Sequence, residues 1–312
     1  MQVWLRRLRS GDTIAHAITL IFASSILLIT TLVVYELWIH STLTRAQFGW
    51  HFFYSSTWDP ISGDFGAWTF IYGTLITTVV SLVIAVPLGV GAAIFLSELA
   101  PPKISKNLSF IIDLLAAVPS VIYGLLAVFA LVPLMRTTIE PFLKRTLGFL
   151  PLFKGPAYGV GFLTASIVLA VMIVPYIISV SREVLLAVPQ DQREASLGLG
   201  ATKWETTWKI VVSYAGAGIM GSVFLSMARA LGETMAVTMV IGNQPKVSAS
   251  LLSPGYSIAA VIANEFAEAA GNLHLSALIE LGLVLFALTL VLNGLARLLI
   301  IATSRRGAGV TR

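Results

Sequence analysis

The chain contains no cysteine. That excludes disulfide frameworks and thiolate metal sites. Charge is scarce as well: Asp, Glu, Lys and Arg make up 11% of the 312 residues, against roughly 25% in ordinary soluble domains. No Gly-x-x-x-x-Gly-Lys-Ser/Thr loop occurs, and Gly198 to Lys203 lacks the order that cradles phosphates. His16, His40, His51 and His274 are too scattered for metal-ligand pairs, and no nucleophile–base arrangement stands out. The sequence thus offers no enzyme active site. An energy source would have to be another polypeptide or an ion gradient. The net charge of +5 belongs to membrane orientation, not to nucleic-acid binding.

What is abundant is apolar: 57% of residues, with a mean hydropathy of +0.88. They gather into six blocks, at approximately 14–39, 69–96, 107–134, 159–180, 214–241 and 275–302. Runs of about 18 or more apolar residues read as membrane spans. Backbone polar groups in hydrocarbon need internal partners, so the spans are expected to be helices. The expected fold is an all-α polytopic membrane protein, one domain over 1–312. Arg6, Arg7 and Arg9 precede the first block as in an uncleaved signal-anchor. With the N-terminus inside, six spans also return the C-terminus to the inside. Thirteen Lys and Arg then fall in cytoplasmic segments and six in outer ones, Arg229 lying within a span. The excess fits basic residues marking the cytoplasmic side.

The outer segments are expected at about 40–68, 135–158 and 242–274. The first is rich in aromatics, read as an interfacial belt or as a docking surface for an outer partner. The second breaks the charge rule with Arg136, Lys144, Arg145 and Lys154. The third reads as a helix lying outside or re-entering, and the tail after Ile301 as disordered. Pro87, Gly89, Gly91, Pro119, Gly124 and Pro175 interrupt the spans, permitting kinks and close helix approach.

Residues 182–213 form a polar elbow between the fourth and fifth spans. Leu197, Ala201, Trp204 and Trp208 are spaced to line one helical face. Gly198 and Gly200 predict two short helices joined at a bend. Trp is enriched at interface hot spots, so this face reads as a dock for a partner or as a face lying on lipid.

Inside the fifth block stands Ala228-Arg229-Ala230-Leu231-Gly232-Glu233-Thr234. A charge at membrane depth costs at least ~2.5–3.5 kcal/mol and marks a pathway or a pair. Arg229 and Glu233 are four apart, expected on one face. They read either as a structural ion pair or as a polar-solute site, to which Thr234 adds a hydroxyl. Arg offers a planar fork suited to phosphate or carboxylate. Asp113, Glu280 and Glu36 are weaker signals, read as interfacial or hydrogen-bonded.

Two stretches carry a family resemblance. The elbow resembles that of ABC-importer permeases, whose signature runs Glu-Ala-Ala, three residues, Gly, nine residues, Ile, one residue, Leu-Pro. Here Glu194-Ala195-Ser196 is followed by Gly200 and Ile210, with Val212-Ser213 in place of Leu-Pro. The segment Arg229 to Asn243, with Asp113 to Gly124, is similar to the PstC-type subunit of phosphate-uptake (Pst) systems. Met235-Ala236-Val237 after Thr234 separates it from the sister PstA-type permease. The resemblance implies a type I ABC importer permease (MetI-like) architecture in the bacterial inner membrane. It implies pairing with a PstA-type permease, two PstB-type ATPases and an outer PstS-type phosphate-binding protein. ATP and Mg would be bound by the ATPase, with no cofactor in this chain. The elbow, including Glu194, Ala195 and Gly200, would couple to the ATPase, and Arg229 and Glu233 would belong to the translocation path. The competing readings are a gradient-driven carrier using Arg229 and Glu233 as a relay, a permease for another oxyanion, and an intramembrane enzyme.

Overall fold

The structure, a computed structural model, describes residues 12–308, with side chains for 15–298. Arg6, Arg7 and Arg9 lie outside the described residues. Six helices are long and apolar enough to cross a membrane: Ala15–His40, Trp68–Leu99, Ser120–Leu147, Phe162–Leu186, Lys203–Leu231 and Asn272–Leu298. The last continues to Ala308, so the residues just after Ile301 are helical where a disordered tail was expected.

The fourth span is the axis of the bundle. In its most apolar stretch 67% of residues are buried, against 0% in the first span. The second and fifth spans pack along it, bringing Ala85, Val168, Ile173 and Ile177 into one core. Pro87 and Pro175 both sit inside continuous helices. The first span meets the body chiefly through the sixth and the short helix Thr42–Phe48.

Two span boundaries differ from expectation. The block read as 107–134 is two helices. Pro102–Ala116 is a separate helix, and the third span begins at Ser120. Pro119 is the cause: it is extended, with φ −57° and ψ 138°, and the residue before a proline is disfavoured in the helical region. The Tyr123 hydroxyl donates to the Leu115 carbonyl across this break, at 2.8 Å. Asp113 therefore belongs to the separate helix, where its carboxylate accepts from Ser179 Oγ at 2.6 Å. The third span then runs on to Leu147, so Arg136, Lys144 and Arg145 are helical and the outer loop shrinks to 148–161.

The second difference is the fifth span, which starts within the expected elbow at Lys203 and stops at Leu231. Gly232, Glu233 and Thr234 are non-helical, and a short helix Met235–Val240 resumes the path. From Gly242 to Tyr256 the chain is irregular, with a turn at Leu251–Ser253. Within the expected 242–274 helix, Ile258–Glu265 forms a separate short helix whose first four residues are buried against the bundle, and residues from Asn272 on already belong to the last span. Burial pushes the Tyr256 phenol up to about 12, and its oxygen accepts from Asn264 at 2.9 Å.

This irregular strap crosses the second span at Gly73. A Cβ there would stand 2.0 Å from the Tyr256 carbonyl oxygen. Backbone cannot yield as a flexible side chain can, and overpacking costs about 1–3 kcal/mol. Gly73→Ala is expected to lower the thermal midpoint of the purified protein, whereas Gly91→Ala, which meets nothing within 4 Å, should leave it unchanged.

The aromatic segment 40–68 is divided between the core and the surface. Phe52 and Phe65 are buried, and Trp58 packs edge-on against Phe65 and Phe70, both at 4.8 Å. Trp58 Nε1 donates to Glu265 at 2.9 Å, and His274 stacks on Phe65 at 5.3 Å. Trp50, Tyr54 and Trp68 are exposed. A two-residue hairpin, Trp58–Asp59 with Asp64–Phe65, is the one sheet among the described residues. Buried Glu280 pairs with Arg45 at 3.5 Å, whose guanidinium lies 3.6 Å from the centre of the Trp38 ring. That pair ties the first span's end to the sixth.

Candidate functional site

Two features define the site, and one helix joins them. The first is the interruption of the fifth span. Ser181 and Ser222 share a hydrogen bond at 2.6 Å, and a Cβ at Gly218 would meet Val184. This antiparallel packing carries Arg229 to Tyr176, 5.9 Å from the ring centre. Tyr176 lies near the middle of Phe162–Leu186, so Arg229 stands near mid-depth. It is exposed at the surface of this single chain, two residues before the helix ends.

Glu233 is not on the same helical face as Arg229, because the helix stops at Leu231. Among the described residues the two form no ion pair. The Glu233 carboxylate instead accepts from the Ala236 amide at 3.4 Å, at the start of Met235–Val240. Thr234 lies in the same break, its hydroxyl donating to the Gly232 carbonyl at 3.2 Å. Discontinuous membrane helices of this sort expose backbone only where it is buried or lines a cavity.

The second feature is the elbow, shorter than the expected 182–213. The fourth span continues to Leu186, and a helix Gln190–Gly198 follows. The chain turns through Leu199 to Thr202 and re-enters helix at Lys203. Gly200 takes φ +89°, a left-handed conformation that glycine adopts at no steric cost. Thr202 starts the next helix with a capping box: its hydroxyl accepts from the Glu205 amide and the Glu205 carboxylate accepts from the Thr202 amide. Leu197, Ala201, Trp204 and Trp208 are consequently split between two helices and the turn. Leu197, Leu199, Trp204 and Trp208 are all exposed, Leu199 at 90%. The two indoles meet edge-on at 5.7 Å. Glu194 and Ala195 are exposed on the first elbow helix.

The chain matches the family described as "Binding-protein-dependent transport system inner membrane component" over residues 85–304. It is 42% identical over 306 residues to the phosphate transport system permease protein PstC of Mesorhizobium japonicum, covering 97% of this chain and 94% of that protein. The PstC of Haemophilus influenzae is 44% identical, with 96% and 94% covered. That of Xylella fastidiosa is 47% identical, with 83% and 81% covered. The chain belongs to the PstC permease family. In fold, it is similar to a solved inward-facing structure of the MetNI methionine ABC transporter, with a TM-score of 0.53 at 18% identity over 82% of this chain and 100% of that one. A PstC-family chain with six spans is thus a multi-pass inner-membrane permease of the MetI-like ABC importer architecture.

Sequence reasoning missed how this PstC-family elbow is held. Arg193 grips Glu98, at the end of the second span, through Nη2 at 2.9 Å and Nε at 3.4 Å. The same guanidinium donates to the Leu185 carbonyl at 2.8 Å and to that of Val188, satisfying the end of the fourth span. Ser196, which departs from the family signature, bonds Thr206 across the bend at 2.9 Å. Both Arg193 and Glu98 are largely buried. Removing one partner of a buried pair costs about 3–5 kcal/mol. Arg193→Ala is expected to free the elbow helix, seen as faster amide exchange over 190–198 with the six spans still protected.

Proposed function

We propose that this chain is the PstC-type half of an ATP-driven importer and lines, with a second PstA-type permease, the path of inorganic phosphate. The proposal carries the relatives' phosphate system to this chain and gives its residues roles. Arg229 meets the anion in transit, its guanidinium presenting paired donors to phosphate oxygens. Glu233 and Thr234 shape the break beside it, Glu233 able to accept from a protonated phosphate hydroxyl. The exposed rings of Trp204 and Trp208, with Leu197 and the Glu194–Gly200 segment, seat in a separate PstB-type ATPase, which binds ATP and Mg. An outer PstS-type protein delivers phosphate and supplies most of the selectivity.

One observation carries this reading. Helix runs unbroken from Lys203 to Leu231, so both Trp rings and Arg229 ride on the same rod. At 1.5 Å per residue, the distance from Trp204 to Arg229 is about 38 Å, enough to reach from outside the ~30 Å hydrocarbon core to near its middle. A displacement of the elbow by the ATPase is therefore transmitted to Arg229 without an intervening hinge loop. A π-helical stretch at Thr207–Val212 is the one irregularity on the way.

Uptake of radiolabelled phosphate in a strain lacking only this chain tests the reading. Restoration by the intact gene is expected, with both termini in the cytoplasm. The absence of cysteine makes topology directly measurable: single cysteines placed at Gly200 and Gly155 should react from opposite sides of the membrane. Reaction of both from one side would contradict the arrangement.

A further inference from the structure

An apolar groove of about 480 Å³ opens between the first span, the sixth span and the helix Ile258–Glu265. Ile29, Leu32 and Val33 form one wall, and Ile262, Phe266 and Ile279 the other. The spans draw together at Gly282, where an added Cβ would stand 3.7 Å from Leu37. The groove has a polar end and an apolar end. Glu36 and His40 line it near the 42–68 segment and pair with each other at 3.2 Å, both about two-thirds exposed. No other lining residue is ionisable.

Length and polarity together select the occupant. Eleven residues separate Ile29 from His40, about 16 Å of helix rise. Half of the ~30 Å hydrocarbon core is about 15 Å. The groove is therefore one leaflet deep, apolar at the midplane end and charged at the headgroup end. A second apolar hollow, between the third and fourth spans, has no charged rim and offers no such match. We infer that the groove binds one phospholipid acyl chain from the leaflet on the 42–68 side, with an amine-bearing headgroup held at Glu36 and His40. The carboxylate suits the ammonium, and the imidazole suits the adjoining phosphate. The bound chain would cover apolar surface of the first span that its contact with the sixth leaves open. This inference is independent of what the permease carries.

The test uses the complete transporter in nanodiscs containing phosphatidylethanolamine and phosphatidylglycerol. A photoactivatable acyl-chain analogue of phosphatidylethanolamine is expected to label peptides 29–40 and 278–282 of the unaltered protein. Val33→Trp, which fills the groove, should abolish that labelling. Glu36→Gln should keep it but lower the preference for the ethanolamine lipid about two- to fivefold, as expected for a largely exposed charge contact. Absence of label on these peptides in the unaltered protein overturns the site. So does efficient crosslinking of Val33→Cys to the second permease, which would place a protein helix in the groove. An unchanged lipid preference in Glu36→Gln overturns the headgroup assignment.

Discussion

Arg229→Gln is expected to bring phosphate uptake to background while the importer remains assembled. The guanidinium stands near mid-depth at the end of an interrupted helix, beside Tyr176, and charge-assisted contacts of a planar fork to an anion are strong. Losing one such contact to a charged partner costs about 2–5 kcal/mol, roughly 30-fold or more in rate. The structure also explains why assembly should survive. Arg229 forms no ion pair among the described residues, so its removal leaves no buried carboxylate unpaired. Arg229→Lys keeps the charge and loses the planar fork, and intermediate uptake is expected. Glu233→Gln should behave differently. Its carboxylate holds the Ala236 amide, and the amide oxygen can still accept, so uptake should fall less than in Arg229→Gln. Initial rates of labelled phosphate uptake, with the complex quantified by co-purification, check all three.

The second large effect concerns the elbow. Trp204→Ala with Trp208→Ala is expected to release the ATPase from the detergent-solubilised complex. Each ring is about half exposed, and the two meet edge-on. Hot-spot truncations cost about 2 kcal/mol or more each and are not additive, so association should weaken at least about 30-fold. Ser196→Ala acts on the same surface more mildly. It removes the bond to Thr206 across the bend, worth about 1 kcal/mol, and restores the small residue of the family signature. Retention of the ATPase with somewhat weaker coupling is the expected result.

The number and order of the spans were legible because an apolar run long enough to cross a bilayer seldom serves any purpose but crossing one. Boundaries were less so. The run 107–134 is continuous in composition, and only Pro119 marks where the chain changes direction. The fifth span was extended too far for the same reason: Gly232 to Thr234 interrupts a helix without interrupting hydrophobicity for long. Arg229, Glu233 and Thr234 stood out as polar residues at depth. Their supposed shared face did not survive, since periodicity applies only while the helix lasts. The Gly bend of the elbow was readable from Gly198 and Gly200. Arg193 was not, because its partner Glu98 lies 95 residues away and nothing local announces the pairing. The aromatics of 40–68 illustrate the same limit. Phe52 and Trp50 look alike in sequence, and only tertiary packing puts one in the core and leaves the other in the open.

Phosphate accumulation in sealed vesicles reconstituted with both permeases, the ATPase and the outer binding protein tests the coupling of elbow to Arg229 most directly. Accumulation that requires ATP and is lost with Arg229→Gln is predicted. Accumulation driven by a proton or sodium gradient without ATP would contradict it.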